Sequence, residues 1–243
     1  MTLFSFQERI LRMNKQNVCV VFDLDDTLYL ERDYVRSGFR AVGIWCAERL
    51  GLEGVQEQAL ALFDQGRRGD IFDAALDRLG VGRDAKTVST MVQIYRHHAP
   101  HINLLPDVVK CLARLQDRAY LGLLTDGNAV SQWAKIDALG LRGRFDTTVI
   151  TGEWGIEFFR PHVRGYRYLE SQLGMCRGRF VYVADNPIKD FSAPYTLGWN
   201  AIRVRRPASL HEHLKCSSGL ACSEVSDLES VPDLVFEMYK TQF

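Results

Sequence analysis

The sequence predicts an α/β fold: a doubly wound parallel sheet that carries a helical cap domain. Three observations indicate this fold class. Short apolar runs rich in β-branched residues recur along the chain, helical patterns lie between most of them, and a long helical stretch follows the first run. Strands that alternate with helices form parallel sheets with helices packed on both faces.

Five apolar runs are the candidate strands. The first is VCVVF at 18–22, a continuous run typical of a parallel strand buried on both faces. The later runs lie at 119–124, 147–150, 180–184 and 200–204. Apolar residues that share one face predict helices at 107–117, 129–139, 163–173 and 187–197.

The chain between the first two strands is too long for a single crossover helix. It spans roughly 30–104 and contains at least three helical patterns. We therefore predict an α/β core formed by residues 1–29 and 105–243, and a helical cap formed by residues 30–104. Because open α/β sheets bind ligands beyond the carboxyl ends of their strands, the cap is expected over that edge. From about residue 208 the chain is polar, with one late helical pattern at 231–238.

Charge and hydropathy exclude several classes of function. The 243 residues have a formal net charge of zero and no long basic run, which argues against nucleic-acid binding. The short RVRR cluster at 203–206 is interpreted as solvated surface. No apolar run reaches the ~20 residues needed to span a bilayer.

The predicted location is the cytoplasm. The N-terminal segment carries Glu8 and Arg9 before any long apolar stretch, which does not fit a secretory signal. The six cysteines form no CxxC pair and indicate buried free thiols in a reducing compartment rather than a zinc site. We expect a monomer or homodimer without a nucleic-acid or membrane partner.

Polar side chains with catalytic potential follow four of the predicted strands. In chain order they are Asp23, Asp25 and Thr27, then Thr125 and Asp126, then Arg160 in the loop after the third strand, then Asp185 and Asp190. The carboxyl ends of parallel strands meet at one edge of a sheet, so these side chains are expected to lie together. Several carboxylates at one place repel one another, which predicts a cation between them.

These motifs resemble those of the haloacid dehalogenase-like superfamily of phosphohydrolases. The chain has a DxDxT signature that begins at Asp23, a strand-end threonine at Thr125 and a late DxxxxD motif from Asp185 to Asp190. A helical cap inserted after the first strand is one of that family's arrangements. The resemblance covers about residues 18–205 and implies a Rossmann-like core and hydrolysis through an aspartyl-phosphate.

The resemblance, with the chemistry of the residues, gives each one an expected role. Asp23 would attack phosphorus, and Asp25 would act as general acid and then as general base. Mg²⁺ would be held by the carboxylates of Asp23 and Asp185 and, as the family implies, by the backbone carbonyl of Asp25. Asp190 would position these ligands, and Thr27 would order the first loop.

The phosphoryl group would be bound by Thr125, by backbone N–H groups of Asp126 and Gly127, and by Arg160. The family usually has lysine where this chain has Arg160. Arginine keeps the charge and can bind phosphate through two nitrogens, but it is not an equivalent donor. Lys135 and Lys189 are the alternatives for the missing lysine.

The predicted function is a Mg²⁺-dependent phosphatase that hydrolyses a small phosphorylated metabolite, of the sugar phosphate or nucleotide monophosphate class. Carbon–halogen hydrolysis needs no acid at the position of Asp25, so this residue favours phosphate chemistry. Two alternatives remain open at the level of sequence. One is a phosphomutase or phosphotransferase of the same family, and the other is a catalytically inactive binding or regulatory member.

Overall fold

A computed structural model describes residues 17–82, 84–174, 179–216 and 222–240. Its sheet has six parallel strands in the order β3-β2-β1-β4-β5-β6. The strands are β1 (Cys19–Phe22), β2 (Tyr120–Thr125), β3 (Thr147–Ile150), β4 (Phe180–Ala184), β5 (Asn200–Val204) and β6 (Ser223–Val225). The predicted α/β fold with a parallel sheet is therefore confirmed, and all five predicted strands are present.

The two faces of the sheet bury two separate apolar clusters. Along β1, Val20 and Phe22 contribute to one cluster, whereas Cys19 and Val21 contribute to the other. This alternation follows from the strand geometry, which points successive side chains to opposite faces. A strand buried on both faces has to be apolar throughout, and this explains why the run at 18–22 contains no polar residue.

Five helices belong to the sheet region. They are α5 (Pro106–Leu115), α6 (Ala129–Ala138), α7 (Arg164–Leu173), α8 (Ser192–Leu197) and α9 (Val231–Tyr239). Asn128 is the N-cap of α6, because its side-chain oxygen accepts the backbone N–H of Ser131. The late helical pattern is α9, whose buried residues join the cluster on one face of the sheet.

Four helices lie between β1 and β2. They are α1 (Glu31–Leu50), α2 (Val55–Asp64), α3 (Ile71–Arg78) and α4 (Ala85–His97). They share a third apolar cluster, which includes Phe39, Leu62, Leu76 and Met91. This stretch therefore buries apolar surface of its own, as the predicted cap requires.

Two local predictions were wrong in part. The helix predicted at 187–197 begins only at Ser192, because polar side chains stabilise a turn before it. Asn186 Oδ1 accepts the N–H of Ile188, and Asp190 Oδ2 accepts the N–H of Asn186. Such local side-chain hydrogen bonds compete with helix formation. Strand β6 was not predicted, because three residues of sequence SEV carry no apolar run.

The RVRR cluster is not solvated surface throughout. Arg203 and Arg206 are 1% and 5% exposed. Arg203 lies on β5 and donates to the backbone oxygens of Asp185 and His211, at 3.2 and 2.9 Å. Arg206 forms an ion pair of 2.7 Å with Asp107. Two of these partners are backbone oxygens, 18 and 8 positions from Arg203, and the third lies 99 positions from Arg206, so the cluster looked unpartnered in the sequence.

Among the described residues, no helix combines the length and the apolar character that a membrane crossing needs. Cys46 and Cys111 are buried free thiols, as expected, whereas Cys216 and Cys222 are half-buried. Cys176, together with Glu8 and Arg9, lies outside the described residues.

Candidate active site

The topology of the sheet determines where the site lies. Strand β1 pairs with β2 on one side and with β4 on the other, so the strand order reverses its direction at β1. Ligands of doubly wound sheets bind at such a switch point, beyond the carboxyl ends of the strands. Asp23 follows β1, Thr125 ends β2 and Asp185 follows β4, so three of the predicted residues are brought to this edge.

Asp23, Asp185 and Asp190 form a buried acidic cluster. They are 1%, 3% and 0% exposed, and one carboxylate oxygen from each lies within 4.8 Å of the others. Burial raises the pKa of Asp23 to about 7, and burial together with the neighbouring carboxylate of Asp23 raises the pKa of Asp185 well above its usual range.

The oxygens of this cluster are poorly satisfied. Oδ2 of Asp185 has no hydrogen-bond donor among the described residues. Oδ1 of Asp23 and Oδ1 of Asp190 lie within ion-pair distance of Arg160 but outside hydrogen-bonding geometry. Buried oxygens without donors are costly unless a cation or water satisfies them. Three such carboxylates suit a hard divalent cation, which prefers oxygen ligands.

Arg160 is the cation at the centre of the acidic network. Its side chain is 1% exposed, and Nη1 lies 3.0 Å from Asp23 and 3.1 Å from Asp190. Nε donates to Oδ2 of Asp126 at 2.8 Å, and Nη1 also donates to the hydroxyl of Tyr182. The single positive charge of Arg160 is therefore shared among three carboxylates and compensates part of their negative charge.

Asp25 belongs to a second network, although it is only two residues from Asp23. Lys135 Nζ lies 2.7 Å from Oδ1, which also accepts the hydroxyl of Tyr29. Gln132 Nε2 donates to Oδ2 at 3.0 Å. Burial alone would raise the pKa of Asp25, but the charge and hydrogen bond of Lys135 outweigh it and lower this pKa.

Thr125 and Asp126 complete the edge at the end of β2. The hydroxyl of Thr125 is fully buried and accepts Gln132 Nε2 at 2.5 Å. The carboxylate of Asp126 accepts the hydroxyl of Thr151 at 2.6 Å, in addition to its ion pair with Arg160. The side chain of Asp126 thus fixes the orientation of the Arg160 guanidinium. The group of Asp126 that is left to face a phosphate is its backbone N–H.

Two residues of the first loop have structural roles. Asp26 adopts a left-handed backbone, with φ of 54°, and its carboxylate accepts the N–H groups of Glu31 and Leu210 at 2.8 Å each. The hydroxyl of Thr27 is buried without a partner among the described residues, whereas its backbone oxygen accepts Nε of Arg206 at 3.0 Å. The loop is therefore held mainly by backbone contacts and by Asp26.

Both alternative lysines reach the site. Lys135 is on α6 and pairs with Asp25, and Lys189 Nζ lies 3.6 Å from Asp126. Sequence reasoning missed Gln132, which lies almost one helical turn before Lys135. The signal was present, because residues three apart on a helix share a face and both follow the helix start at Asn128.

A cavity of about 390 Å³ lies beside Asp25. At one end it is lined by polar groups of the sheet edge, which include Asp126, Gln132 and Lys135. At the other end it is lined by side chains of α1, α2, α3 and α4. The four helices therefore form the far wall of a cavity that begins at the acidic edge.

The fold and the site together define a hydrolase built on a doubly wound sheet. The family model described as haloacid dehalogenase-like hydrolase matches residues 18–193. This match covers well over half of the chain, so the protein belongs to the haloacid dehalogenase-like hydrolase family.

Two similar curated relatives are archaeal enzymes named glyceraldehyde 3-phosphate phosphatase. The one from Methanocaldococcus jannaschii is 29% identical over 195 residues, which are 76% of this chain and 83% of that protein. The one from Methanopyrus kandleri is 30% identical over 196 residues, which are 77% and 83% of the two chains. The solved structure of L-2-haloacid dehalogenase from Xanthobacter autotrophicus superposes with a TM-score of 0.62 at 21% identity, covers 90% of this chain and 98% of that chain, and shows the shared fold.

Proposed function

We propose that the protein is a Mg²⁺-dependent phosphatase that hydrolyses a small phosphorylated metabolite through an aspartyl-phosphate on Asp23. The observation that carries the proposal is that two aspartates only two residues apart, at the end of β1, belong to different networks, and that one of them, Asp25, lines the cavity. Asp23 lies in the acidic cluster beside Arg160, and Asp25 lies in a separate network beside Lys135. The names of the archaeal relatives support a sugar phosphate as the substrate class.

The residues present fit a divalent cation. Asp23 and Asp185 would hold it, with the backbone carbonyl of Asp25 as a third ligand, and Asp190 would support them. The unsatisfied oxygens of the cluster are the reason for this assignment. When bound, Mg²⁺ would offset the repulsion between the carboxylate nucleophile and the phosphoryl oxygens.

The chain supplies the remaining groups. Asp23 would form the bond to phosphorus, while the N–H of Asp126 and Gly127 and the hydroxyl of Thr125 would bind phosphoryl oxygens. The ion pair of Arg160 with Asp23 would orient the Asp23 carboxylate for attack on phosphorus and would also compensate its charge.

Asp25 would protonate the leaving alcohol and then activate water. In the structure it is held as a carboxylate by Lys135, so it would have to take up a proton from solvent when the substrate binds. A phosphate dianion beside Asp25 would favour the protonated carboxyl, since like charges disfavour ionisation, and would compete for the ammonium of Lys135. The four helices at 30–104 would act as the cap that excludes water during this step.

The test is phosphate release from a panel of sugar, nucleotide and three-carbon phosphates, with Mg²⁺ and with EDTA. We expect release that requires metal and that falls by at least about 10³-fold in Asp23→Asn, because the amide cannot act as the nucleophile. Circular dichroism of the variant checks that it is folded. Release that is unaffected by Asp23→Asn would refute the proposal, and transfer of phosphate to an added alcohol would indicate a phosphotransferase instead.

A further inference from the structure

The cavity beside Asp25 is divided into a polar end and an aromatic end. The polar end consists of sheet-edge groups and includes Asp126 and Gly127, whose backbone N–H groups are assigned to the phosphate. The far end is lined by four aromatic side chains from the helices: Phe39, Phe63, Phe72 and Tyr95. The cavity of about 390 Å³ has the size of pockets that hold drug-sized ligands, which are roughly 300–1,000 Å³.

The aromatic end is a rigid, mutually packed wall. The ring centroid of Phe39 lies 5.7 Å from that of Phe72 and 5.5 Å from that of Tyr95, and Phe72 lies 6.0 Å from Tyr95. Such edge and tilted contacts keep each ring in one orientation. Phe39, Phe63 and Phe72 line the cavity and are only 3%, 4% and 7% exposed, so most of each ring is packed against other side chains.

One cation completes the wall. The guanidinium of Arg68 lies 3.8 Å over the ring of Phe63, and its Nη1 donates to the backbone oxygens of Phe63 and Arg67. This leaves the face of Arg68 and its other nitrogens beside the cavity, where a flat group could stack on them. Hydroxyl groups of a short sugar chain would find few partners at this end, because phenylalanine offers none.

We propose that the organic part of the substrate carries a planar ring, which packs against this aromatic wall while the phosphate lies at the polar end. The inference depends on the proposed phosphatase function, but it favours a substrate with a planar ring over the three-carbon sugar phosphate that the names of the archaeal relatives support. A three-carbon phosphate would reach only the polar end and would make no contact with the aromatic rings at the other end. A heteroaromatic or aryl phosphate monoester would fill both ends.

The test compares benzyl phosphate with ethyl phosphate, because both leave as primary alkoxides and differ in the ring. We expect kcat/KM to favour benzyl phosphate by at least about tenfold, since apolar groups in such pockets give discrimination of this order. Phe72→Leu should reduce this preference severalfold, because it should lower kcat/KM for benzyl phosphate much more than kcat/KM for ethyl phosphate. Phe145→Leu is the matched control, because Phe145 is 8% exposed, against 7% for Phe72, and is not among the residues that line the cavity.

Binding of benzylphosphonate and ethylphosphonate, measured by calorimetry, separates this inference from the function. If neither ester is hydrolysed but the benzyl compound binds at least about tenfold tighter and Phe72→Leu removes the difference, the phosphatase proposal fails and the ring-binding site stands. Equal rates and equal binding for the two compounds would overturn the ring-binding site. A preference that Phe72→Leu and Phe145→Leu reduce equally would also overturn it, because the cause would then be general stability.

Discussion

Arg160→Met should destabilise the protein much more than the loss of an ordinary ion pair. The side chain is 1% exposed and compensates three carboxylates, at 3.0 Å for Asp23, 2.8 Å for Asp126 and 3.1 Å for Asp190. Removing one partner of a single buried pair costs about 3–5 kcal/mol, because a buried charge is left uncompensated. Three carboxylates share this cation, so we expect a loss of about 5 kcal/mol in metal-free buffer, out of a total stability of roughly 5–15 kcal/mol.

The assay is urea unfolding followed by circular dichroism, first in EDTA and then in excess Mg²⁺. If a cation binds the acidic cluster, it offsets part of the lost charge, so Mg²⁺ should recover more stability in Arg160→Met than in the wild type. Arg142→Met is the matched control, because Arg142 forms an exposed ion pair with Asp137 and is expected to cost less than about 1 kcal/mol. A loss below about 1 kcal/mol for Arg160→Met in EDTA would refute the assigned role of Arg160 in charge compensation.

Three further predictions concern the metal, the acid and a distant ion pair. Mg²⁺ added to the EDTA-treated wild type should raise Tm, and Asp185→Asn should abolish this shift; an unchanged shift in the variant would place the cation elsewhere. Lys135→Met should raise the pKa of Asp25, because burial is then opposed mainly by the hydrogen bonds of Tyr29 and Gln132, so the inflection of kcat/KM that belongs to Asp25 should move to higher pH; an unmoved profile would separate Lys135 from the acid. Asp107→Asn should lower the free energy of unfolding by about 1–2 kcal/mol at pH 7, through the loss of its charged contact with Arg206. Although burial opposes it, the contact lowers the pKa of Asp107, so its contribution is present above the unfolded pKa of about 3.9 and is lost as pH falls through the folded value. The unfolding free energies of variant and wild type should therefore converge below about pH 4, and a constant gap would rule out this carboxylate as the cause.

The core strands and the acidic edge could be predicted because their signals are local. A strand buried on both faces has to be a continuous apolar run, and the residues that follow it are read directly from the sequence. The partners of these residues could not be predicted in the same way. The contact of Lys135 with Asp25 joins residues 110 positions apart, and whether Lys135, Lys189 or Arg160 would face the nucleophile depends on the packing of three elements.

The exposure of individual residues could not be predicted from the apolar pattern of the sequence either. Val109 is an apolar residue within the helix predicted at 107–117, yet it is 48% exposed, whereas Cys111 is fully buried. The buried face of α5 consists of Val108, Cys111, Leu112 and Leu115, so not every apolar residue of the helix belongs to it. Similarly, Arg203 was interpreted as a surface residue. It donates to the backbone oxygen of Asp185, and a pairing with an uncharged backbone group cannot be predicted from the charges in the sequence.

The two networks explain why two aspartates, two residues apart, can have opposite tasks. Burial raises the pKa of Asp23 to about 7, whereas Lys135 overcomes burial and lowers that of Asp25. Carboxylates whose environments shift their pKa values apart are the usual basis of acid and nucleophile assignments, but here the shifts of the free protein oppose the proposed roles. A cation at the acidic cluster would favour ionised Asp23, and a phosphate dianion would favour protonated Asp25. Each ligand would therefore shift one of the two carboxyl groups toward the protonation state that its role requires. The proposed site would be competent only when metal and phosphate ester are both bound.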